Sequence, residues 1–160
     1  MRRVVRALYV ALLVIVSARI TVVGWSMYPA LAPGERILLD RLAFIHHRPG
    51  RGDIVLVRGV GNVDGPIIKR IVGVPKDHVY IGQGLVLVNG SPVHDSSSGT
   101  GAHGRENLWT LSENEYFLLG DASDFSTDSR SFGPIPARTI RAKAWLVWWP
   151  YHRRRIVSGV

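Results

Sequence analysis

The residues around Lys69 indicate that this lysine could take part in a reaction. It lies within Ile67-Ile68-Lys69-Arg70-Ile71, in a chain with 17 arginines and three lysines. In a strand, Ile67, Lys69 and Ile71 share one face, so the amine would lie between two isoleucines. Burial lowers the pKa of a lysine, and a neutral amine can act as a general base. The alternative places Lys69 on the solvent face, and the pattern leaves both open.

Ser26 is the candidate partner of that amine. It lies in Gly24-Trp25-Ser26-Met27-Tyr28-Pro29-Ala30-Leu31, a segment bounded by glycine and proline at the end of an apolar run. A nucleophile on a sharp turn exposes its hydroxyl and leaves a backbone N–H available to an oxyanion. A serine beside a neutral lysine could carry out acyl transfer without a histidine, but the local pattern alone does not distinguish Ser26 from the other serines of the chain.

The composition limits the kinds of protein to which the chain can belong. With 160 residues and 46% hydrophobic residues, it is long enough for one globular domain. The absence of cysteine excludes disulfides, thiolate metal sites and a cysteine nucleophile. The six histidines show no metal-ligand spacing, and we expect neither a metal nor a cofactor. The net charge of +8 comes partly from arginines beside apolar runs, which favours anionic membrane lipids over nucleic acid.

The N-terminal residues 1–23 predict a membrane anchor. An apolar run of 17 residues, 7–23, contains Arg19 and follows Arg2, Arg3 and Arg6. This length is at the short end for a membrane-spanning helix, and the flanking arginines predict a cytoplasmic N-terminus with the rest outside. Two alternatives remain open: a cleaved signal peptide with its site at Val16-Ser17-Ala18, and a buried core helix.

Residues 24–160 predict a mainly β fold, an antiparallel barrel-like or split two-sheet body. Short alternating or β-branched runs are separated by Gly, Pro and Asn turn signals. Gln83-Gly84 and Asn89-Gly90 predict tight hairpins, and residues 94–105 predict a mobile surface loop. The predicted strands are Asp53–Arg58, Ile67–Val74, Val79–Ile81, Leu85–Val88, Tyr116–Leu119 and Ala144–Trp149.

Four segments in order resemble the characteristic boxes of type I signal peptidases, which are membrane-bound Ser–Lys proteases. They are Ser26-Met27-Tyr28-Pro29-Ala30-Leu31, Gly52-Asp53-Ile54-Val55-Leu56-Val57, Ile68-Lys69-Arg70-Ile71-Val72-Gly73-Val74-Pro75-Lys76-Asp77 and Gly120-Asp121-Ala122-Ser123-Asp124-Phe125-Ser126-Thr127-Asp128-Ser129-Arg130-Ser131-Phe132-Gly133. Together they span most of the chain. The chain departs from the family at Ala30 for Thr, Lys76 for Gly and Ala122 for Asn.

The resemblance implies a role for each matching residue. Ser26 is the implied nucleophile and Lys69 the implied general base. Ser126 would hydrogen-bond the lysine amine and orient it, while Asp128 and Arg130 would form an ion pair that braces the loop. Gly24 stands where several members carry a serine that supplies an oxyanion hydroxyl, so the Ser26 backbone N–H is expected to contribute more here.

The implied activity is removal of signal peptides from exported preproteins, with the catalytic domain outside the cytoplasmic membrane. Small residues are implied at the first and third positions before the cut. Three alternatives remain: a maturation protease dedicated to one substrate, a self-cleaving repressor-type Ser–Lys protease, and an inactive membrane-tethered β module. The aromatic run Trp145, Trp148, Trp149 and Tyr151, followed by Arg153–Arg155, predicts either a membrane-interface contact or an ordinary β core. The sequence does not specify an oligomeric state.

Overall fold

The computed structural model of the chain describes residues 17–82, 84–93 and 106–157, and for Asp124 it describes the backbone alone. These residues form twelve strands and one short α-helix, α1 (Ser129–Phe132), together with three single 3₁₀ turns. The strands are β1 (Ala18–Thr21), β2 (Arg36–Asp40), β3 (Ile54–Val57), β4 (Ile67–Gly73), β5 (His78–Gly82), β6 (Leu85–Val88), β7 (Ser91–Pro92), β8 (Asn107–Thr110), β9 (Glu115–Leu119), β10 (Ile135–Pro136), β11 (Ile140–Trp149) and β12 (Arg155–Ile156).

The strands form two antiparallel sheets. The larger sheet has the order β1-β2-β11-β3-β4-β9-β10, with β12 pairing with β11, and the smaller has the order β7-β6-β5-β8. The prediction of a mainly β, antiparallel two-sheet body is therefore confirmed for the described part of the chain. Each predicted strand is present, and the predicted C-terminal strand is longer than expected because it begins at Ile140.

Alternating burial explains why these segments form strands. In β4 the side chains of Lys69 and Ile71 are buried while Arg70 between them is partly exposed. Buried aliphatic residues from β2, β3 and β11 then form one core, and residues of β5, β6 and β9 form a second core against the small sheet. Because a one-residue slip would turn each buried residue outward, this pattern specifies the register that places Lys69 opposite Val55.

The N-terminal segment departs from the predicted helix. Ala18–Thr21 forms β1, which pairs antiparallel with β2, so the prediction of an anchor helix reaching Val23 is wrong for these residues. The alternation explains the difference, because Ala18 and Ile20 are partly buried while Arg19 and Thr21 are exposed. Residues 1–16 and the predicted loop 94–105 lie outside the described residues. Within the described ranges, no helix has the length and apolar character needed to span a bilayer.

The two predicted hairpins are present. Asn89 and Gly90 connect β6 to β7, and both have positive φ values, 51° and 79°, as a type I′ turn requires. Gly82 pairs with Leu85 across the β5–β6 connection, where Gly84 has a φ of 76°. Gln83 itself lies outside the described residues.

Candidate active site

Ser26 lies on a tight turn between β1 and β2. Two side chains of the turn, Met27 and Leu31, are buried in the core of the large sheet, and Leu31 N–H donates to the Met27 carbonyl at 2.7 Å. At the base of the turn, Val22 N–H donates to the Glu35 carbonyl and Gly34 N–H donates to the Val22 carbonyl. The buried anchors and closed base hold the Ser26 side chain, which is partly exposed, at the surface of the sheet.

Lys69 enters the site from β4, in the middle of the large sheet. Its side chain is on the buried face, and the residue is 3% exposed. This decides between the two orientations that the sequence left open, because the amine lies on the face shared by Ile67 and Ile71. Burial therefore removes the ammonium from most of its water.

The Lys69 Nζ and Ser26 Oγ atoms are 2.8 Å apart and share a hydrogen bond. Burial lowers the pKa of Lys69, which is the largest influence on this group, and Arg130 lowers it further. The carboxylates of Asp128 and Asp121 oppose this by raising the pKa, but the net direction is downward from the ordinary value of 10.5. A lysine with a lowered pKa, within hydrogen-bond distance of a hydroxyl, has the geometry of a general base beside a nucleophile.

Asp128 is the centre of the loop that packs behind this pair. Its carboxylate is fully buried and accepts hydrogen bonds from Gly120 N–H at 2.9 Å and Ser126 Oγ at 2.7 Å. Arg130 forms an ion pair with it through Nη2 at 2.9 Å and also donates from Nε. Arg130 further donates to the Ser123 carbonyl, so one guanidinium connects both ends of the loop.

Ser126 lies beside the pair without bonding to the amine. Its hydroxyl donates to Asp128, and among the hydrogen bonds of the described residues none joins Ser126 to Lys69. Ser126 does pack against Gly120, where an added Cβ would overlap both the Ser126 hydroxyl and the Ser26 carbonyl oxygen. The orienting role implied for Ser126 therefore stays a prediction.

Arg70 and Asp121 form a second ion pair next to the site. Arg70 Nε and Nη2 donate to the two carboxylate oxygens of Asp121, at 2.8 and 2.7 Å. Arg70 also donates to the Gly52 carbonyl at 3.0 Å. Asp121 therefore joins the Gly120–Gly133 box to β4.

The two backbone groups of Ser26 differ in their hydrogen bonds. Ala122 N–H donates to the Ser26 carbonyl at 3.1 Å, whereas the Ser26 N–H donates to no other group within the described residues. An N–H without an internal acceptor beside a nucleophile can donate to an oxyanion. Gly24 has a φ of 83°, a backbone conformation that an L-serine rarely adopts, so the glycine suits the local backbone here.

The chain matches, over residues 1–149, the protein family described as "Signal peptidase, peptidase S26". The chain belongs to this signal peptidase family. Similar proteins include a mitochondrial ATP-independent inner membrane protease subunit 1b of Arabidopsis thaliana, 35% identical over 78% of this chain and 66% of the relative. A probable signal peptidase I-2 of Synechocystis is 29% identical over 80% of this chain and 61% of the relative.

The chain is also similar to two bacterial proteins named signal peptidases. A signal peptidase IB of Staphylococcus aureus is 28% identical over 82% of this chain and 77% of the relative. A crystal structure of a signal peptidase I from Enterococcus faecalis covers 60% of this chain and 96% of its own, with 23% identity and a TM-score of 0.47. The present chain spans 61–66% of the length of the first three curated relatives that it matches.

Sequence reasoning missed Glu35, which supports the Ser26 turn. This carboxylate is 2% exposed and receives hydrogen bonds from Ala32 N–H and the Arg155 guanidinium, and an ion pair from Arg153 at 2.7 Å. Arg155 also donates to the carbonyl of Ala30. Two of the three C-terminal arginines, for which the sequence left a membrane contact open, are therefore bound to an internal carboxylate. The glutamate gave no signal because its arginine partners are about 120 residues away in the chain.

Proposed function

We propose that this chain is a membrane-bound serine endopeptidase that removes signal peptides from exported preproteins. One observation carries the proposal: the buried Lys69 amine, with its lowered pKa, lies 2.8 Å from the Ser26 hydroxyl. This pair supplies both a base and a nucleophile without a metal or cofactor. Membership of the signal peptidase family supports the same class of reaction.

The reaction follows from the positions of the two side chains. Neutral Lys69 takes the proton of Ser26 Oγ as the oxygen attacks the scissile carbonyl, and returns a proton to the leaving amine. The Ser26 N–H donates to the oxyanion, and one such donor is worth roughly 3–4 kcal/mol in comparable hydrolases. Water activated by the same amine then hydrolyses the acyl-enzyme and restores the serine.

The loop behind the pair acts by positioning. Asp128 holds Gly120 and Ser126, and Arg130 neutralises that carboxylate while binding the Ser123 carbonyl. We assign Ser126 an orienting role, supported by its packing against Gly120 beside the Ser26 carbonyl. A fully buried and hydrogen-bonded carboxylate gives such a loop a defined conformation.

The substrate would bind as an extended strand. Its residues before the cut would lie between the segment that precedes Ser26 and residues 65–68, where main-chain hydrogen bonds provide affinity. The resemblance to secretory processing enzymes implies small residues at the first and third positions before the cut. Preproteins that carry signal peptides are the corresponding substrates.

An exposed aromatic edge supports a location at the membrane. Trp25 is 55% exposed and packs edge-to-face on Tyr28, next to the nucleophile. Trp149 and Tyr151 form a similar exposed pair. Arg36 pairs with Thr21 on one side and Trp149 on the other, so the turn that carries Trp25 and Tyr28 leaves the sheet at the end where Trp149 lies. Amphipathic rings of this kind concentrate at membrane interfaces.

The topology that we propose is a single N-terminal anchor with its tip in the cytoplasm and the catalytic domain outside. The supporting observations are the arginines at positions 2, 3 and 6 and the apolar residues that follow them before β1 begins at Ala18. Of the C-terminal arginines, Arg154 is exposed above the Tyr151 ring at 5.1 Å and is the one suited to contact anionic lipids.

Cleavage of a model preprotein in detergent tests this function. Wild-type protein and Ser26→Ala protein are incubated with the preprotein, and the N-terminus of the product is sequenced. We expect a single cut after an Ala-x-Ala site with wild-type protein and no product with Ser26→Ala. Absence of cleavage by folded wild-type protein with several preproteins would favour an inactive β module.

The same assay distinguishes a general signal peptidase from a dedicated or self-cleaving protease. Cleavage restricted to one preprotein among many would indicate a dedicated maturation protease. Shortening of the enzyme itself, without added substrate and dependent on Ser26, would indicate a self-cleaving protease of the repressor type. Cleavage of several unrelated preproteins at their signal sites supports the proposed function.

A further inference from the structure

A cleft of about 590 Å³ opens between the two sheets beside the Ser26 turn. Its walls come from the Ser26 turn, from β4 and β9 of the large sheet, and from β6 and β7 of the small sheet. This volume is in the range of pockets that enclose a small ligand, and so suffices for a few side chains. The proposed reaction at Ser26 and Lys69 does not use this cleft.

The cleft is continuous with the reacting residues. Pro29 and Ala30, in the turn that carries Ser26, form one wall, and Arg70, the residue after Lys69, forms another. Gly120, which packs against the Ser26 carbonyl, also lines it. A peptide whose carbonyl reaches Ser26 must therefore pass the mouth of the cleft on one side of the scissile bond.

The path of β4 indicates which side this is. Residues before the cut are proposed to lie beside residues 65–68, which precede Lys69, whereas the cleft is lined by Arg70, Ile71 and Val72, which follow it. Because a strand advances about 3.3 Å per residue, these stretches lie on opposite sides of the Lys69 amine. We propose that the cleft binds the first residues of the mature chain, those after the scissile bond, an inference that rests on the proposed endopeptidase function.

The residues that line the cleft predict which peptide side chains it binds. Val72, Val88, Pro92, Val93 and Leu119 make much of the surface aliphatic, so an apolar side chain just after the cut would be buried there. Arg51 and Arg70 also line the cleft, but their guanidinium groups are not equally available to a ligand. The guanidinium of Arg70 donates two hydrogen bonds to the carboxylate of Asp121, which compensates its charge.

Arg51 instead presents a guanidinium that a ligand can reach. Its side chain is 49% exposed, although one nitrogen pairs with Asp77 at 2.8 Å. Because Arg51 is half exposed and lines the cleft, a carboxylate bound in the cleft could pair with its guanidinium. We therefore expect a preference for an apolar residue followed by an acidic residue within the first residues of the mature chain.

Two fluorogenic peptides test the inference with the full-length chain in detergent. Both have the same Ala-x-Ala residues before the cut; the long one continues with Leu, Asp and further residues, and the short one ends in an amide after one residue. Val93→Trp fills the cleft, and Leu108→Trp, on the far edge of the small sheet, is the matched control. We expect Val93→Trp to lower the long-to-short ratio of kcat/KM about fivefold or more, and Leu108→Trp to leave that ratio unchanged.

A second pair of substrates tests the charge preference. In the long peptide, Asp is replaced by Lys, and the ratio of kcat/KM for the two peptides is measured with wild-type and Arg51→Gln protein. We expect wild-type protein to favour Asp by about threefold and Arg51→Gln to lose most of that preference. If Val93→Trp does not fold, Ser91→Trp fills the same cleft from the exposed edge strand β7.

Each outcome has one meaning. An unchanged long-to-short ratio in a folded cleft-filling variant overturns the inference. An equal fall in kcat/KM for the long and short peptides leaves that ratio unchanged and has the same meaning, because the variant then acts on the residues before the cut, which the two peptides share. If wild-type protein cleaves neither peptide nor any preprotein, the proposed function itself fails, and the result is distinguishable from failure of the cleft alone.

Discussion

The Lys69 Nζ atom lies 2.8 Å from the Ser26 Oγ atom, although 43 residues separate the two in the chain. The sheet brings them together, because the turn after β1 folds over the face of β4 from which Lys69 points. Burial of the amine lowers the pKa of Lys69, whereas the negative charges of Asp128 and Asp121 raise it. Burial is the larger influence, so the pKa of Lys69 lies below the ordinary lysine value.

The first prediction concerns the dependence of cleavage on pH. Because the pKa of Lys69 is lowered from 10.5, the neutral amine accumulates at a lower pH than in a free lysine. We expect kcat/KM to rise with pH and to level off above the lowered pKa. Initial rates on a fluorogenic preprotein peptide measure this, with circular dichroism at each pH to verify folding. A flat profile between about pH 6 and 10 would contradict the role of Lys69.

The second prediction is that Lys69→Met stabilises the fold while abolishing cleavage. Methionine fills a similar volume without an amine to desolvate, so we expect the free energy of unfolding to increase by about 1–3 kcal/mol at pH 7. In the wild type the pKa of Lys69 is lower in the folded state than in the unfolded state. At pH values between these two pKa values, the unfolded state therefore binds more protons than the folded state. Wild-type stability therefore rises with pH in that window.

The stability difference should accordingly shrink as the pH approaches the ordinary lysine value of 10.5. Thermal melts of both proteins at several pH values measure it. Lys143→Met is a suitable control, because Lys143 is one-third exposed and forms an ion pair with Asp53. A Lys69→Met protein that is less stable than wild type at neutral pH would show that burial of the amine does not destabilise the fold.

The third prediction is that Gly120→Ala impairs catalysis through local crowding. A Cβ at this position would overlap the Ser126 hydroxyl and the Ser26 carbonyl, so the turn that carries the nucleophile must shift. We expect kcat to fall by about a hundredfold, since small displacements of a reacting group have effects of this size. Gly50→Ala is the matched control, because its Cβ would meet the nearest atom at 3.8 Å. Equal kcat values for the two variants would contradict this account.

The fourth prediction is that Glu35→Gln destabilises the fold. Burial would raise the pKa of Glu35, but hydrogen bonds from Arg155 and Ala32 and the charges of Arg155 and Arg153 lower it on balance. Removing the charge leaves two partly buried arginines uncompensated, and we expect a loss of about 3 kcal/mol at pH 7. Denaturant titration measures the loss, with Glu113→Gln as the control because Glu113 forms an exposed ion pair with Lys76.

The difference in stability between wild type and Glu35→Gln is also expected to depend on pH. A carboxyl with a lowered folded pKa stabilises the protein above its ordinary value of about 4.5, and this stabilisation is lost as the pH falls through the folded pKa. The difference between wild type and Glu35→Gln should therefore close below pH 4.5. A difference that persists unchanged into strong acid would mean that the carboxylate charge is not its cause.

Local pattern predicted much of the β architecture. The alternation in β4 and the aliphatic run of β6 indicated strands, and Asn89-Gly90 indicated the hairpin with the correct turn conformation. β8 was missed, because three of its four residues are exposed and it has no apolar alternation. β1 was mistaken for the end of a helix because its apolar residues continue a longer apolar run.

What the sequence by itself determined was the chemistry available: a serine in a sharp turn, a lysine in an apolar run, and four boxes in the order of one enzyme family. Tertiary structure alone decided that Lys69 points inward, that Asp121 binds Arg70, and that Glu35 binds the C-terminal Arg155. Each of these depends on strands distant in the chain becoming neighbours in a sheet. Residue type and spacing define which groups can react or pair, but sheet registration and burial determine which of them meet.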